Sequence, residues 1–331
     1  LHLFYHRKER APLDVPQARA RHLWTPPHHR RERWALGAEL AFHRLDLFHA
    51  TDFIPPAWGA RRVVITVHDL NFLYYPQYLT DEARRYYNEQ IDWAVARADG
   101  IIAVSHATQR DLTRLLDVPA NQVSVVHSGV SPVFRPLAEA EVAATLARYE
   151  LTPGYLLFVG TWEPRKNLPG LLEALALLHQ RDERRPLVIV GRPGWLYDEV
   201  FTRVEALGLT PWVRFIERAP LVDLVALYNG ALLLALPSFY EGFGFPALEA
   251  LRCGTPAVVA DRASLPEVVG DAGLLIDPEE PATLADACWH IAHDVELRRR
   301  LQQAGREHAA AFTWEAAARK TVAVYRRALD L

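Results

Sequence analysis

Short apolar runs alternate with longer stretches of helical periodicity along most of this 331-residue chain. Such alternation predicts parallel strands joined by crossover helices, which is an α/β architecture. The pattern starts again at residues 152–154, Thr-Pro-Gly, so we expect two α/β domains with a boundary near residue 150. The length agrees, because about 150 residues is a usual size for one domain. The tail from Pro281 has a helical pattern throughout.

The apolar runs place strands in both halves of the chain. In the first half the predicted strands are Leu1–His6, Asp46–Ala50, Val63–His68, Gly100–Val104 and Val123–His127. In the second half they are Tyr155–Gly160, Pro186–Val190, Val213–Ile216, Ala231–Leu236, Ala257–Ala260 and Gly273–Leu275. The predicted helices lie near Trp34–Leu45, Asp81–Ala98, Ala107–Leu116, Ala138–Tyr149, Leu168–Gln180, Leu196–Leu207, Leu221–Tyr228, Pro246–Arg252 and Thr313–Leu331.

Composition and charge exclude several classes of protein. Half of the residues are apolar and 23% are charged, as in folded soluble proteins. With 37 basic and 40 acidic residues the net charge is −3, so no overall field attracts nucleic acid. No apolar run approaches the ~18 residues of a membrane span. Cys253 and Cys288 are too few for a disulfide framework, which favours a reducing compartment and therefore the cytoplasm.

The first 34 residues are locally basic. The basic residues are Arg7, Lys8, Arg10, Arg19, Arg21, Arg30, Arg31 and Arg33, and the acidic ones are Glu9, Asp14 and Glu32. A solvated surface loop is one interpretation. The other is contact with a phosphorylated acceptor or with an anionic membrane surface, which would place the protein at the inner face of the membrane.

The strongest chemical signal lies in residues 237–249, PSFYEGFGFPALE, which follow an apolar strand and open a helix. Ligands of open α/β sheets bind at such carboxyl ends of strands. Gly242, Phe243 and Gly244, here called the glycine bend, let the backbone approach a ligand closely. Pro246 suits the first turn of the helix, and free amides there would face an anion such as a phosphate.

The glycine bend also fits a different site. Gly242 to Ala247 match the G-x-G-x-x-A fingerprint of dinucleotide-binding proteins, and Asp261 lies where such proteins carry a ribose-binding acid. However, a nicotinamide site normally uses the first strand of its sheet, whereas this strand is the fourth of its half. In addition, Glu241 would repel a pyrophosphate lying on the bend. A neighbouring sugar hydroxyl or a developing cation suits that carboxylate better.

A second segment, residues 160–168 (GTWEPRKNL), follows the first strand of the same half. Asn167 is a good N-cap for the next helix. Arg165 and Lys166, here called the cationic turn, therefore lie beside a helix N-terminus, where charges and amide dipoles can converge on one anion. A solvated charge pair is the alternative. Because both segments follow strands of one sheet, we expect the cationic turn and the glycine bend to frame a single ligand.

Together these residues resemble the GT-B glycosyltransferases, specifically the large retaining family 4 and its bacterial mannosyl- and rhamnosyltransferases. The shared pattern is a G-x-x-x-P-R-K-N/G loop followed by an element with two glutamates eight residues apart, here Glu241 and Glu249. The resemblance implies two Rossmann-like parallel-sheet domains, 1–150 for the acceptor and 151–312 for the donor, with a cleft between them. It also implies a helix, 313–331, that crosses back to the N-terminal domain. Since Leu1–His6 resembles the second strand of these relatives, their first strand and glycine-rich loop are expected to be missing.

The resemblance also implies roles for individual residues. Lys166 and Arg165 would hold the diphosphate of a nucleotide sugar, together with the loop residues Gly160 and Thr161 and the amides of the glycine bend. Many relatives have an arginine where this chain has Thr161, so Arg165 would take over that role. Three further roles follow for side chains: ribose binding for Glu249, a place beside the transferred sugar for Glu241, and a place facing that sugar for His68.

The sequence therefore predicts a retaining hexosyltransferase without a cofactor, with GDP-mannose favoured over UDP-sugars as the donor. A glycan or lipid-linked acceptor of cell-envelope or exopolysaccharide synthesis is the expected partner. The chain contains no Asp-x-Asp element and no zinc-ligand spacing, so no metal is expected. Two alternatives stay open: a nucleotide-sugar binding module without turnover, and a nicotinamide-dependent oxidoreductase.

Overall fold

The structure, a computed structural model, describes residues 1–9, 15–27, 29, 31–79, 81–194 and 197–331. The basic or acidic positions Arg10, Asp14 and Arg30, the histidine His28, and the predicted helix start at Leu196 lie outside the described residues. The chain forms two compact units. The first unit comprises Leu1–Val104, Thr108–Val126 and Arg319–Leu331, and the second comprises Ser105–Ala107 and His127–Ala318.

Two parallel sheets form the first unit. Strands β1 (His2–His6) and β2 (Arg19–Leu23) pair with each other, and β3 (Leu45–Ala50), β4 (Ala60–Val67), β5 (Gly100–Ala103) and β6 (Val123–Val125) form a second sheet in that order. The helices are α1 (Glu32–Leu40), α2 (Asn71–Tyr74), α3 (Asp81–Arg97) and α4 (His106–Leu116). The predicted strand at the start of the chain is confirmed as β1. Strand β2 was not predicted, because only Leu23 of its five residues is buried and the strand has no apolar alternation.

A cavity of about 880 Å³ lies in the first unit and is lined by residues of both β1 and β3. Among the described residues, β1 pairs only with β2, and β3 pairs only with β4, so each strand has one unpaired edge. His49 of β3 also borders this cavity. Its ring lies 2.6 Å from the Tyr325 hydroxyl and 2.8 Å from the Thr66 hydroxyl, and burial lowers its pKa to about 4.

The second unit contains a six-stranded parallel sheet in the order β12-β11-β10-β7-β8-β9. The strands are β7 (Tyr155–Val159), β8 (Leu187–Val190), β9 (Val213–Ile216), β10 (Ala231–Leu236), β11 (Ala257–Ala260) and β12 (Gly273–Ile276). The helices are α5 (Glu139–Arg148), α6 (Leu168–Gln180), α7 (Asp198–Ala206), α8 (Leu221–Gly230), α9 (Phe245–Cys253), α10 (Leu265–Val269), α11 (Pro281–His293), α12 (Val295–Ala309) and α13 (Trp314–Ala328). All six predicted strands are confirmed.

The chain changes unit earlier than the predicted boundary near residue 150. Residues from His127 onwards belong to the second unit, and α5 packs there against α8. Tyr149 follows α5, and its hydroxyl donates a 2.7 Å hydrogen bond to Asp223 of α8. The renewed sequence pattern marks the start of strand β7. The residues before it, from His127 onwards, already belong to the second unit, where the apolar face of α5 packs against α8. At the other end, α13 passes from the second unit to the first, to which Arg319–Leu331 belong.

The basic start of the chain is largely exposed. Arg7 and Lys8 lie at the surface, as do Arg19 and Arg21 of β2, and the Arg7 guanidinium stacks 4.0 Å from the ring centre of Trp24. Within the described ranges, no helix combines the length and the apolar character that crossing a membrane requires.

Candidate active site

The two segments singled out in the sequence follow neighbouring strands. Strand β7 pairs with β10 on one side and with β8 on the other, so the chain order reverses at this point of the sheet. The cationic turn follows β7, and the glycine bend follows β10. Open parallel sheets bind ligands in the crevice at such a switch point, beyond the carboxyl ends of the strands.

The cationic turn lies in a single 3-10 turn, Pro164–Lys166, and Asn167 anchors the end of this turn. Asn167 has a left-handed backbone, and its side-chain oxygen accepts a 3.2 Å hydrogen bond from the Gly170 amide of α6. Its side-chain amide donates a 2.7 Å bond to the carbonyl of Pro278. The predicted N-cap is therefore confirmed, and it holds the turn against the body of the unit.

The two segments meet in the structure, as the sequence predicts, while the single ligand that they are expected to frame stays a prediction. Lys166 Nζ lies 2.6 Å from Oε1 of Glu241, and Arg165 Nη1 lies 3.1 Å from Oε2 of the same carboxylate. The backbone also joins the segments, because the Phe239 amide donates a 2.9 Å bond to the carbonyl of Arg165. Both cations thus meet the residue directly before the glycine bend.

Glu163 is a member of the site that the sequence interpretation missed. Its Oε1 lies 2.5 Å from Nη2 of Arg165, and Arg165 Nη1 also donates a 2.7 Å bond to the Tyr240 carbonyl. Glu163, Arg165, Lys166 and Glu241, here called the charge cluster, carry two positive and two negative charges. The sequence signal available was a carboxylate two residues before the cationic turn, because a partly buried arginine is stabilised by an opposite charge.

Burial makes the pairing within the charge cluster important. Glu241 and Glu163 are each 6% exposed and Lys166 is 8% exposed. Burial by itself would raise the pKa of Glu241, but the charges of Lys166 and Arg165 and the hydrogen bonds from Lys166 and Ser238 together lower it below the ordinary value. The Ser238 hydroxyl donates to Oε1 over 2.8 Å. Glu241 is thus held ionised between two cations.

The glycine bend is shaped by Gly244 and by a serine from a neighbouring loop. Gly244 has a φ of +102°, which favours glycine, and it directly precedes α9 with Pro246 in the first turn, as predicted. The Ser264 hydroxyl lies 2.8 Å from the Glu241 carbonyl and 2.9 Å from the Phe243 carbonyl. Within the described part of the chain, the amides of Gly242, Phe243 and Gly244 donate to no other group. These amides are suited to an anion.

Replacing Gly244 by alanine is expected to lower the melting temperature and to abolish donor binding. A Cβ at this position would lie 2.7 Å from Cδ2 of Leu265, and the left-handed backbone adds about 1–3 kcal/mol of strain. Thermal unfolding and nucleotide titration check the two effects. Gly208→Ala is the matched control, because Gly208 has a φ of +67° with open space around it. That variant should lose some stability and keep donor binding, whereas full donor binding by Gly244→Ala would contradict the role of the bend.

Glu249 lies in α9, where the Tyr228 hydroxyl donates a 2.7 Å hydrogen bond to its Oε2. Burial raises the pKa of Glu249 to about 7, and the bond from Tyr228 opposes this rise only in part. Tyr228 is itself fixed, since the Thr255 hydroxyl donates a 2.7 Å bond to its carbonyl. Glu249 is therefore a carboxyl group that changes its charge near neutral pH, and its predicted ribose contact stays a prediction.

Replacing Glu249 by glutamine is expected to stabilise the protein at pH 8 by on the order of 3 kcal/mol and to have little effect at pH 4. The folded-state pKa of about 7 lies above the ordinary value of 4.5. The wild-type protein therefore loses stability as the pH rises from 4.5 to about 7, whereas the glutamine variant does not. Urea unfolding of both proteins at the two pH values checks the difference. Glu279→Gln, which changes an exposed carboxylate, is the control and should change stability little at either pH. An equal effect of Glu249→Gln at pH 4 and pH 8 would contradict the raised pKa.

Gly160 and Thr161 lie in a loop that packs against the loop after β8. The Trp162 amide donates a 2.9 Å bond to the Arg192 carbonyl, and a Cβ on Gly191 would lie only 1.9 Å from the carbonyl oxygen of Gly160. Thr161 is exposed, and its methyl group faces Gly194 of the neighbouring loop. The predicted donor contacts of Gly160 and Thr161 stay predictions. Thr161 itself brings no charge to the cationic turn.

His68 lies in the first unit, directly after the carboxyl end of β4, as predicted. Its Nε2 donates a 2.8 Å hydrogen bond to the carbonyl of Thr51. Its place opposite a donor sugar stays a prediction. Among the described residues, no group of three or more His, Cys, Asp and Glu side chains is arranged to hold a metal ion, and metal independence likewise stays a prediction.

Two parallel-sheet units, with a cationic turn beside a glycine bend in the second, define a glycosyltransferase of the GT-B fold. The family model named Glycosyltransferase Family 4 matches residues 2–134, and the one named Glycosyl transferases group 1 matches residues 148–308. The chain belongs to glycosyltransferase family 4. The fold class predicted from the sequence is confirmed.

Individual relatives are similar over much of the chain. The O-antigen chain mannosyltransferase B of Escherichia coli is 35% identical over 301 residues, which are 90% of this chain and 78% of that protein. The D-inositol 3-phosphate glycosyltransferase of Salinispora arenicola is 37% identical over 251 residues, and this chain spans only 56% of its length. The Anabaena protein HepE, crystallised with UDP and glucose, has the same fold with a TM-score of 0.74 at 20% identity, over 93% of this chain and 86% of HepE.

Proposed function

We propose that this glycosyltransferase moves a hexose, with mannose favoured, from a nucleotide diphosphate sugar to a hydroxyl of a glycan or lipid-linked acceptor in cell-envelope or exopolysaccharide synthesis. The observation that carries the proposal is the contact of the cationic turn with Glu241, directly before the glycine bend, at the carboxyl ends of β7 and β10. The similarity to an O-antigen mannosyltransferase supports mannose and a polysaccharide acceptor. The exposed basic start of the chain supports peripheral contact with an anionic membrane.

The donor would bind through its diphosphate and its ribose. Lys166 and Arg165 supply charge-assisted hydrogen bonds to the diphosphate, and the amides of the glycine bend add donors at the start of α9. Glu249 would accept hydrogen bonds from the ribose hydroxyls, because a carboxylate offers two acceptor oxygens. Since the charge cluster is neutral in total, the phosphates share Lys166 and Arg165 with the two carboxylates rather than meeting unpaired cations.

The proposed reaction retains the anomeric configuration and needs no metal ion. The bond between the sugar C1 and the phosphate oxygen breaks, and negative charge develops on the leaving nucleoside diphosphate. Lys166, Arg165 and the bend amides stabilise this charge, and each such donor typically contributes about 3–4 kcal/mol in the transition state. The acceptor oxygen attacks C1 from the same face and passes its proton to the leaving phosphate. Glu241 and His68 would lie beside the sugar, where Glu241 favours the positive charge on the ring.

The experiment is a transfer assay with GDP-mannose and UDP-glucose as donors, with and without EDTA, on a polysaccharide acceptor. We expect glycosidic product with retained configuration, detected by NMR, and no loss of rate with EDTA. Donor binding without hydrolysis or transfer would instead favour the binding module. Tight binding of NADH without binding of GDP or UDP would favour the oxidoreductase and would reject the proposal. Co-sedimentation with anionic but not with neutral vesicles tests the membrane contact.

A further inference from the structure

We propose that Glu163 is a positioning residue for the donor, and that its carboxylate holds the guanidinium of Arg165 in the orientation in which Arg165 acts on the diphosphate. The inference rests on the proposed function and adds to it a residue that lies outside the cationic turn and the glycine bend. Its basis is the set of contacts that fixes Arg165 from two directions.

The guanidinium of Arg165 is held at both of its terminal nitrogens. Nη2 lies 2.5 Å from Oε1 of Glu163, while Nη1 bonds the Tyr240 carbonyl at 2.7 Å and approaches Oε2 of Glu241 at 3.1 Å. Hydrogen bonds at both terminal nitrogens, made in different directions, restrict the rotation of a planar guanidinium about its long axis. Glu163 therefore holds the end of the guanidinium that carries Nη2, whereas the Tyr240 carbonyl and Glu241 hold the end that carries Nη1.

The side chain of Glu163 is buried, and its carboxylate pairs with Arg165. Its side chain is 4% exposed, and a carboxylate so buried is unfavourable unless an opposite charge pairs with it. Among the described residues, Arg165 is the only side chain that bonds this carboxylate. The backbone of Glu163 is extended, with φ of −144° and ψ of 155°, and its carbonyl accepts the Lys166 amide at 3.0 Å, so the same residue also closes the turn.

The position of Arg165 matters because the turn has few other charges. Thr161 is exposed and neutral, which leaves Arg165 and Lys166 as the cations of this loop. Of the side chains that the structure describes, only that of Glu241 pairs with Lys166, through a single 2.6 Å contact. Arg165 already contacts Oε2 of Glu241, so without Glu163 its guanidinium would reorient further onto this carboxylate and compete with Lys166 for Oε1. Both cations would then be displaced from the diphosphate.

A double-mutant cycle tests whether Glu163 acts through Arg165. The variants are Glu163→Ala, Arg165→Ala and the double variant, assayed for kcat and KM with GDP-mannose and in parallel with UDP-glucose. We expect each single variant to lower kcat/KM about ten-fold, and the double variant to match Arg165→Ala within about two-fold, because nothing is left for Glu163 to position. Glu163→Gln keeps an acceptor oxygen and should recover part of the loss.

Controls separate positioning from folding. Glu173→Ala removes a more exposed carboxylate of the same unit that pairs with Arg203, and it should leave kinetics unchanged. Thermal unfolding is recorded for every variant, and Glu163→Gln serves where Glu163→Ala does not fold. Wild-type kinetics in Glu163→Ala, or a double variant about a hundred-fold impaired, would overturn the positioning role. If Arg165→Ala and Lys166→Ala are also as active as wild type, the proposed diphosphate site itself is wrong.

Discussion

Replacing Lys166 by alanine is expected to lower kcat/KM for the donor ten-fold or more and to destabilise the protein by about 3 kcal/mol. The kinetic loss follows from one missing charge-assisted contact, which is worth ~1.5–3 kcal/mol. The stability loss follows because Glu241 is buried and would keep only Arg165 at 3.1 Å and Ser238 at 2.8 Å. This is the lower end of the range for breaking a buried ion pair, because the second cation remains. Steady-state kinetics and urea unfolding measure the two effects.

The specificity of this result is checked with a second lysine. Lys320 is exposed, and Lys320→Ala should leave both kinetics and stability close to wild type. Lys166→Arg retains the charge and should recover much of the stability. Kinetics like those of the wild type in Lys166→Ala would count against the phosphate role of this residue.

Replacing Glu241 by alanine is expected to reduce transfer a hundred-fold or more and to destabilise the protein by about 3–5 kcal/mol. The carboxylate accepts from Lys166 and Ser238 at Oε1 and from Arg165 at Oε2, so its loss removes the shared partner of the buried Lys166 and the partly buried Arg165. Both cations would also move, which removes donor contacts. Unfolding free energies and transfer rates of the purified variant give the two numbers.

The double variant Lys166→Ala/Glu241→Ala distinguishes pairing from catalysis. Removing both partners leaves no unpaired charge between these positions, so the double variant should lose about 1–3 kcal/mol less stability than the sum of the two single losses. Its transfer activity should stay as low as that of Glu241→Ala. Additive stability losses would show that the 2.6 Å contact between Lys166 and Glu241 does not contribute to folding.

The acid sensitivity of the fold should depend on Glu241. Because its folded-state pKa lies below the ordinary value of 4.5, ionised Glu241 contributes stability above pH 4.5, and this contribution is lost as the pH falls below that value. The contribution of Glu249 to stability changes with pH in the opposite direction, because it is lost as the pH rises from 4.5 to about 7. The two glutamates of the same motif therefore act in separate pH windows.

Local sequence was sufficient for most elements of the second unit. Helix α6 lies at Leu168–Gln180 as predicted, because Asn167 caps its start and its apolar residues repeat at helical spacing. Strands such as β10 were predictable because their continuous apolar runs are buried. Strand β2 was not predictable, since four of its five residues are exposed and it is defined by pairing with β1.

The sequence by itself determined the strands of the second unit, the two loops that carry charge and glycine, and the family to which they belong. Only the tertiary structure decided that β10 lies beside β7, which brings those loops together, and that Glu163 as well as Glu241 pairs with the cationic turn. The reason is that periodicity and capping act between residues close in the chain. Strand order and ion pairing depend on hydrogen bonds, buried faces and distances between residues far apart in it.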